Sequence, residues 1–354
     1  MIATVEGVPS GAMGFATGRG TGALIAAVKA LELAGREVLV PVNLCAIAVA
    51  GLIAVGVRPV LHDVSADTGN ATLEQLKAAW RPSVAGLLAV HNFGQPLGID
   101  SIADWARQRE LALIEDNCNA LGASWNGAPL GTLGDVAIYS FGAGKIADAG
   151  EGGVVTANNL STATNLRSAV EEMPVLDDAV RAAGAEMEGR LRHLRTSGAP
   201  LAAQRDAYLG YEPHMATRLG AGGAKRIEGM LAKLGDNVAR RRRMAILWNK
   251  YLASAKVERS PVAEGAAPWR YNIRVDAKIR DGLVQDLRAH GHSASTWYPP
   301  IDTMFAGEIE TSGEYLGARA FAAQVINLWV DQGVSEEKIR AASELIARHT
   351  DTRA

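Results

Sequence analysis

Along the first 160 residues, short apolar runs alternate with stretches whose apolar positions recur every three or four residues. The runs are "AMGFAT" (12–17), "EVLVP" (37–41), "RPVLHDV" (58–64), "VAGLLAV" (84–90), "LALIED" (111–116), "DVAIYSF" (135–141) and "GGVVTA" (152–157). They are too short for stable helices and are bounded by turn formers, so they predict strands. Between them, 20–34 carries Leu24, Val28 and Leu31 on one stripe, and helices are also predicted near 45–55, 72–80 and 100–110. Strands alternating with helices predict an α/β fold, a largely parallel sheet with helices on both faces. In such sheets ligands collect beyond the carboxyl ends of the strands.

The middle of the chain changes character. Residues 160–250 read as charged helices, most clearly in "GAGGAKRIEGMLAKLGDNVARRRRMAILWNKYL", where Leu234, Val238, Ala245, Trp248 and Leu252 share a face. Arg240 to Arg243 then spread around that helix, which predicts a solvated surface rather than an anion site. From about 255 onward, "WRYNIRV", a helix at 280–290, "SASTWYPP", "VINLWV" and a helix at 335–348 predict a small α+β domain. A chain of 354 residues exceeds one small core, and the expected division is a large domain 1–235 and a small domain 236–354.

Charge and composition narrow the function classes. A net charge of −2 lacks the basic excess of a nucleic-acid binder. No apolar run reaches the roughly 18–20 residues of a membrane span. "MIATVEGVPSG" has no basic flank and apolar core of a secretory signal. Cys45 and Cys118 lack metal-ligand spacing. The expectation is a reduced cytoplasmic protein without a metal, acting on small molecules.

Three loops carry candidate chemistry. "GFATGRGTGAL" (14–24) is a strand, a glycine turn and a helix start, whose free amides suit a phosphate. Gly18, Gly20 and Ala23 also match a dinucleotide fingerprint, but the second strand ends "VLVPVNLCA" without the carboxylate that would hold a ribose. In "LALIEDNCNA" (111–120), Glu115 and Asp116 close a strand; Asp116 is either a local cap or the partner of a cationic ring nitrogen. In "YSFGAGKIADAGEGGVV" (139–155), Ser140 and Lys145 flank a tight glycine turn. A serine can hold phosphate, and a desolvated lysine suits Schiff-base formation. A phosphate cradle, an acid for a ring nitrogen and an amine for an aldehyde are the three handles of pyridoxal 5′-phosphate (PLP).

These stretches resemble the DegT/DnrJ/StrS-type sugar aminotransferases, PLP enzymes of fold type I. Family-like segments are "GTGAL" (20–24), "AVHNFGQPLGID" (89–100), "LAKLGDNVARRR" (231–242), "WYPPIDTMF" (297–305), "INLWVDQGVSEEKI" (326–339) and, most specifically, 114–155. The resemblance implies that Lys145 forms the Schiff base with PLP and shuttles the proton. It implies that Asp116 pairs with the pyridine nitrogen, and that Ser140 with Gly20 and Thr21 grips the phosphate. Asn119 stands where the family has a glutamine near the ring hydroxyl, and His91 matches a common family histidine. The lysine also separates the chain from the dehydratase branch, which carries histidine there.

Several positions depart from the family pattern. Cys45 stands where an aromatic ring usually stacks on the cofactor. Ala216 stands where an asparagine reaches the partner subunit's phosphate, and Gly223 replaces a glutamine. Each loss would cost about 1–3 kcal/mol of cofactor binding. The resemblance implies amino transfer from glutamate or glutamine to a keto-sugar, nucleotide-linked in most of the family, or a related cyclic ketone. It also implies a homodimer with shared active sites, serving glycan or secondary-metabolite synthesis. The competing readings are a weakened homologue that binds PLP or sugar without turnover, and an NAD(P)-dependent reductase.

Overall fold

The computed structural model describes residues 12–351 apart from residue 312. The stretch Met1–Gly11, read above for a secretory signal, lies outside the described residues.

The chain opens β1 (Met13–Thr17), α1 (Gly20–Ala30), β2 (Glu37–Pro41), α2 (Ala46–Ala54), β3 (Arg58–His62), α3 (Leu73–Ala79) and β4 (Val84–Val90). It continues α4 (Ile99–Gln108), β5 (Ala112–Asp116), a small hairpin of β6 (Ser124–Trp125) and β7 (Ala128–Pro129), β8 (Val136–Ser140) and β9 (Gly153–Ala157). The seven runs read as strands become one seven-stranded sheet in the order β1-β9-β8-β5-β4-β2-β3. The neighbours from β3 to β8 pair in parallel, whereas β9 runs antiparallel to both β8 and β1. The sheet is thus mixed at the edge that carries β1.

Successive strand residues serve opposite faces, as the period of two demands. Val38, Val40, Leu88, Val90, Ile114, Val136 and Ile138 join α1 in one core. Leu39, Leu87, Ala89, Leu113, Ala137 and Tyr139 join α4 in the other. Neither face of the sheet is left wet, so these strands read as continuous apolar runs. The helix predicted over 20–34 stops at Ala30 because the chain turns back there: Glu32 and Gly35 both take positive φ, 54° and 74°.

The charged middle is five helices: α5 (Leu160–Glu171), α6 (Asp178–Thr196), α7 (Leu201–Leu209), α8 (Ala221–Leu231) and α9 (Leu234–Tyr251). Pro174, Pro200 and Pro213 fall in the breaks between the first four, where a missing N–H does no harm. A second, antiparallel sheet follows, built of β10 (Glu258–Arg259), β11 (Arg270–Arg274), β12 (Ala294–Ser295) and β13 (Val325–Trp329) in the order β10-β11-β13-β12. With it come α10 (Ala277–Ala289), α11 (Leu316–Gln324) and α12 (Glu336–Asp351). Helix α9 belongs to two cores. Leu234 and Val238 pack with the large sheet, while Ala245 and Trp248 pack with Leu283, Leu287, Ile339 and Ile346.

The arginine run departs from its expected solvated role at Arg240 and Arg241, while Arg242 and Arg243 are exposed as expected. Arg240 donates to the carbonyls of Asp331 (2.5 Å) and Val334 (2.6 Å), and Arg242 to that of Ala266 (2.7 Å). Arg241 is 3 % exposed and reaches Asn237 Oδ1 (3.0 Å) and the carbonyls of Pro268 and Trp269 (3.3 Å each). Loops entering and leaving the second sheet leave carbonyls without ladder partners, and a guanidinium with five donors satisfies them. Removing a buried donor strands its acceptors, so Arg241→Ala is expected to lower stability by about 2–4 kcal/mol in urea unfolding. The exposed neighbour variant Arg243→Ala is expected to stay within about 0.5 kcal/mol of wild type.

Candidate active site

Hydrogen-bond register sets the site. Asp116 at the end of β5 lies beside Ile138 of β8, Ser140 of β8 beside Gly153 of β9, and Gly153 beside Thr17 of β1. The ends of β5, β8 and β1 therefore open their following loops along one sheet margin. Beyond that margin lies a cavity of about 340 Å3. It is lined by all seven residues singled out from the sequence: Gly20, Thr21, Cys45, Asp116, Asn119, Ser140 and Lys145.

Each arrives for a local reason. Helix α1 begins at Gly20 with no side-chain cap, which leaves its first amides free. A Cβ on Gly20 would stand 2.9 Å from Ser140 Cβ and 3.3 Å from Cys118 Sγ, so only glycine lets the helix start approach the strand end. Cys45 stands just before α2, makes no capping bond with its side chain, and is exposed. Asp116 is buried, and its Oδ1 accepts the amide of Cys118 at 2.8 Å. No helix follows for it to cap; the bond instead holds the turn at 118–122, and the same residue lines the cavity.

Lys145 sits in the loop between β8 and β9. Asp148 shapes that loop, accepting the amides of Gly144 (2.7 Å) and Gly150 (2.8 Å) through its two oxygens. Gly144 takes φ 77°, which turns the chain so that Lys145 follows facing the cavity. Lys145 Nζ donates to Asn119 Oδ1 at 2.8 Å. The amine is thereby aimed across the site and not into bulk water.

The two carboxylates that close β5 part company, because adjacent strand residues face opposite ways. Glu115 accepts the amides of Gly131 (2.8 Å), Leu133 (2.7 Å) and Gly134 (2.5 Å) and is wholly buried. His91 Nδ1 accepts the amide of Leu97 (3.0 Å), so its proton rests on Nε2, which faces Glu115 at 3.6 Å. Burial pushes the Glu115 carboxyl up, but His91 and the loop amides outweigh it and hold the carboxyl below its ordinary range. Glu115 and His91 thus brace the "GTLGD" turn behind the site.

Other residues at the cavity were not singled out from the sequence. Tyr298 lines it, and its Oη accepts from Asn119 Nδ2 at 3.4 Å. Arg19 and Glu188, paired at 2.6 Å, form part of the wall, as does Glu151. Burial, with the charge of Asp116 adding to it, raises the Cys118 thiol well above its usual range, so this thiol stays protonated. Tyr298 lay within a family-like block of the sequence, yet nothing local marked it.

Residues 11–346 match the DegT/DnrJ/EryC1/StrS aminotransferase family. The chain belongs to that family. It is an aminotransferase, which overturns the NAD(P)-dependent reductase reading. It is 28% identical over 351 residues, 98% of this chain and 86% of the relative, to UDP-N-acetyl-3-dehydro-alpha-D-glucosamine 3-aminotransferase of Acidithiobacillus ferrooxidans. It is 31% identical to dTDP-4-dehydro-2,3,6-trideoxy-D-glucose 4-aminotransferase of Saccharopolyspora spinosa, over 80% of this chain and 70% of that one. The fold matches DesI, solved in the presence of its TDP-sugar product, with TM-score 0.79 at 22% identity, covering 99% of this chain and 83% of that one. It also matches the aminotransferase TlmJ from Streptoalloteichus hindustanus with TM-score 0.78 at 23% identity, over 96% and 86% of the two chains.

The brace behind the site has a pH signature. A carboxyl whose folded pKa is depressed adds stability above the unfolded value, about 4.3, and loses it as pH falls through the folded value. Glu115→Gln, a neutral group facing three amides, is expected to cost about 2–4 kcal/mol at pH 7. That gap between wild type and variant should narrow below about pH 4 in denaturant titrations at stepped pH.

Proposed function

We propose that the protein binds PLP in this cavity and transfers an amino group from glutamate or glutamine to a keto-sugar carried on a nucleotide. The observation that carries the reading is the arrangement around Lys145: an amine held at 2.8 Å from Asn119, in one cavity with a buried aspartate and an uncapped helix start. The donor set fits the cofactor. It offers an amine for an aldehyde, a carboxylate for a pyridinium, and backbone amides with a hydroxyl for a phosphate. The substrate class rests on relatives named for UDP-, dTDP- and GDP-linked sugars.

When bound, PLP supplies an aldehyde and an electron-withdrawing ring through which an amino group passes between two carbonyl compounds. Asp116 would pair with the ring nitrogen, whose protonated form an opposite charge favours. The amides at Gly20 and Thr21 and the hydroxyl of Ser140 hold the phosphate. Lys145 Nζ is the amine that would hold the aldehyde carbon, with the carbonyl oxygen leaving as water, and the same nitrogen would take and return the proton at the reacting carbon. Asn119 keeps that nitrogen in reach in both roles. Leu44 and Ile138 supply apolar wall, which limits water around the exchanging proton. Cys45, where the family resemblance implies a stacking aromatic ring, would stack little on a bound cofactor, and affinity would then rest more heavily on the helix start and Ser140. We further propose a homodimer, with the domain division near 235 falling at the start of α9.

Protein mixed with PLP, reduced with borohydride and digested is expected to carry the cofactor on the peptide containing Lys145, and Lys145→Ala to carry none. Retention of the adduct in the variant would reassign the nucleophile. Asp116→Ala is expected to keep the adduct but slow the half-reaction with amino donor about 10²–10³-fold, read as bleaching of the cofactor band. Bleaching by neither glutamate, glutamine nor any other donor in wild type would favour the reading in which the protein binds without turnover.

A further inference from the structure

The lysine loop joins β8 to β9, but its conformation at Lys145 is fixed from elsewhere. Trp269, just before β11, donates its Nε1–H to the carbonyl of Gly144 at 2.7 Å. Asn237 of α9 donates through Nδ2 to the carbonyl of Ile146. The carbonyls of Gly144 and Ile146, the two residues that flank Lys145, are therefore gripped by elements more than 85 residues away in sequence. The side chain is gripped as well. Lys145 Nζ lies 5.3 Å from the centre of the Trp269 ring, within cation–π range.

Trp269 in turn is stacked on Tyr298, with ring centres 6.3 Å apart and planes at 10°. Tyr298 is itself packed against Phe93 at 5.9 Å. Its Oη meets Asn119 Nδ2 at 3.4 Å, and Asn119 Oδ1 meets Lys145 Nζ at 2.8 Å. An ammonium only donates, so the amide oxygen of Asn119 must face Lys145 and its NH2 must face Tyr298. A ring of contacts closes: Lys145 to Asn119, to Tyr298, to Trp269, and back to Lys145 through both the indole face and the Gly144 carbonyl.

We infer that Trp269 and Tyr298 are positioning residues for Lys145: Trp269 through the Gly144 carbonyl and its ring face, Tyr298 through the Asn119 amide. This deepens the cofactor reading and rests on it. A lysine has four rotatable side-chain bonds, and bond formation with an aldehyde needs the nitrogen within a near-attack distance. A displacement of about 1 Å can cost as much as 100-fold in rate. The aromatic pair thereby narrows the volume that Nζ samples.

The test separates reactivity from binding and from folding. Wild type, Trp269→Phe and Tyr298→Phe are mixed with PLP, quenched with borohydride at timed intervals, and the Lys145 peptide is quantified by mass spectrometry. Non-covalent PLP affinity of the same two changes is measured by fluorescence titration in a Lys145→Ala background, where no imine can form. Both changes keep an aromatic ring and remove one hydrogen-bonding group. Expected is a capture rate lowered roughly 10-fold in each variant, with non-covalent affinity in the Lys145→Ala background altered by less than about twofold. Capture at the wild-type rate in both variants overturns the inference. So does a slowing matched by an equal loss of non-covalent affinity, which would mean that the aromatic pair only supports the cavity wall. No capture on Lys145 in wild type overturns the cofactor reading itself, an outcome distinct from either of these.

Discussion

The pairing register of β5, β8, β9 and β1 is the constraint on which the site depends. Parallel bonding of β5 to β8 sets Asp116 against Ile138, and antiparallel bonding of β9 sets Gly153 between Ser140 and Thr17. A slip of one residue in β8 would turn Ser140 to the opposite face and exchange Ile138 for Tyr139 in the two cores. Both faces are buried, so such a slip would misplace every side chain of the strand at once. Packing of the two cores thereby enforces the geometry of the cavity. Gly20 then decides how near the helix start comes, since any larger residue would meet Ser140.

A second physical layer lies on top of this frame. Strand ends deliver Asp116, Ser140 and the start of α1, but Lys145 is carried by a loop, and loops need support. Support comes partly from within, through Asp148 and its two amide partners, and partly from α9 and the entry to β11. The buried Arg241 links these parts, bonding Asn237 on one side and the Trp269 carbonyl on the other. The elements around the second sheet therefore support a cavity whose Asp116, Ser140 and helix start belong to the first.

Much of this was legible along the chain because its signals are local. Apolar runs bounded by glycine and charged residues marked all seven strands of the large sheet. Glycine-rich turns directly after strands marked the loops that line the cavity. Lys145, Asp116 and Ser140 were legible because each stands within a few residues of a strand end. What depends on distant partners was not. Arg240 and Arg241 look like a solvated face by spacing alone, and only the carbonyls of residues 268–269 and 330–334 show why they turn inward. Trp269 and Tyr298 reach the lysine from more than 120 residues away, a separation that no spacing rule spans. Glu115 stood beside Asp116 as an apparent pair, and only strand alternation assigns it to the turn behind the site.

Membership in an aminotransferase family and the convergence of these loops meet in one claim, that the amine at 145 bonds a PLP aldehyde while the carboxylate at 116 faces the ring nitrogen. A crystal structure of the protein grown with PLP tests it most directly. The account predicts density continuous from Lys145 Nζ into the cofactor, the pyridine nitrogen at about 2.6–3.2 Å from an Asp116 oxygen, and the phosphate at the start of α1. A cofactor bound elsewhere, or one seated in the cavity with its ring nitrogen turned away from Asp116 and Lys145 unbonded, would contradict it.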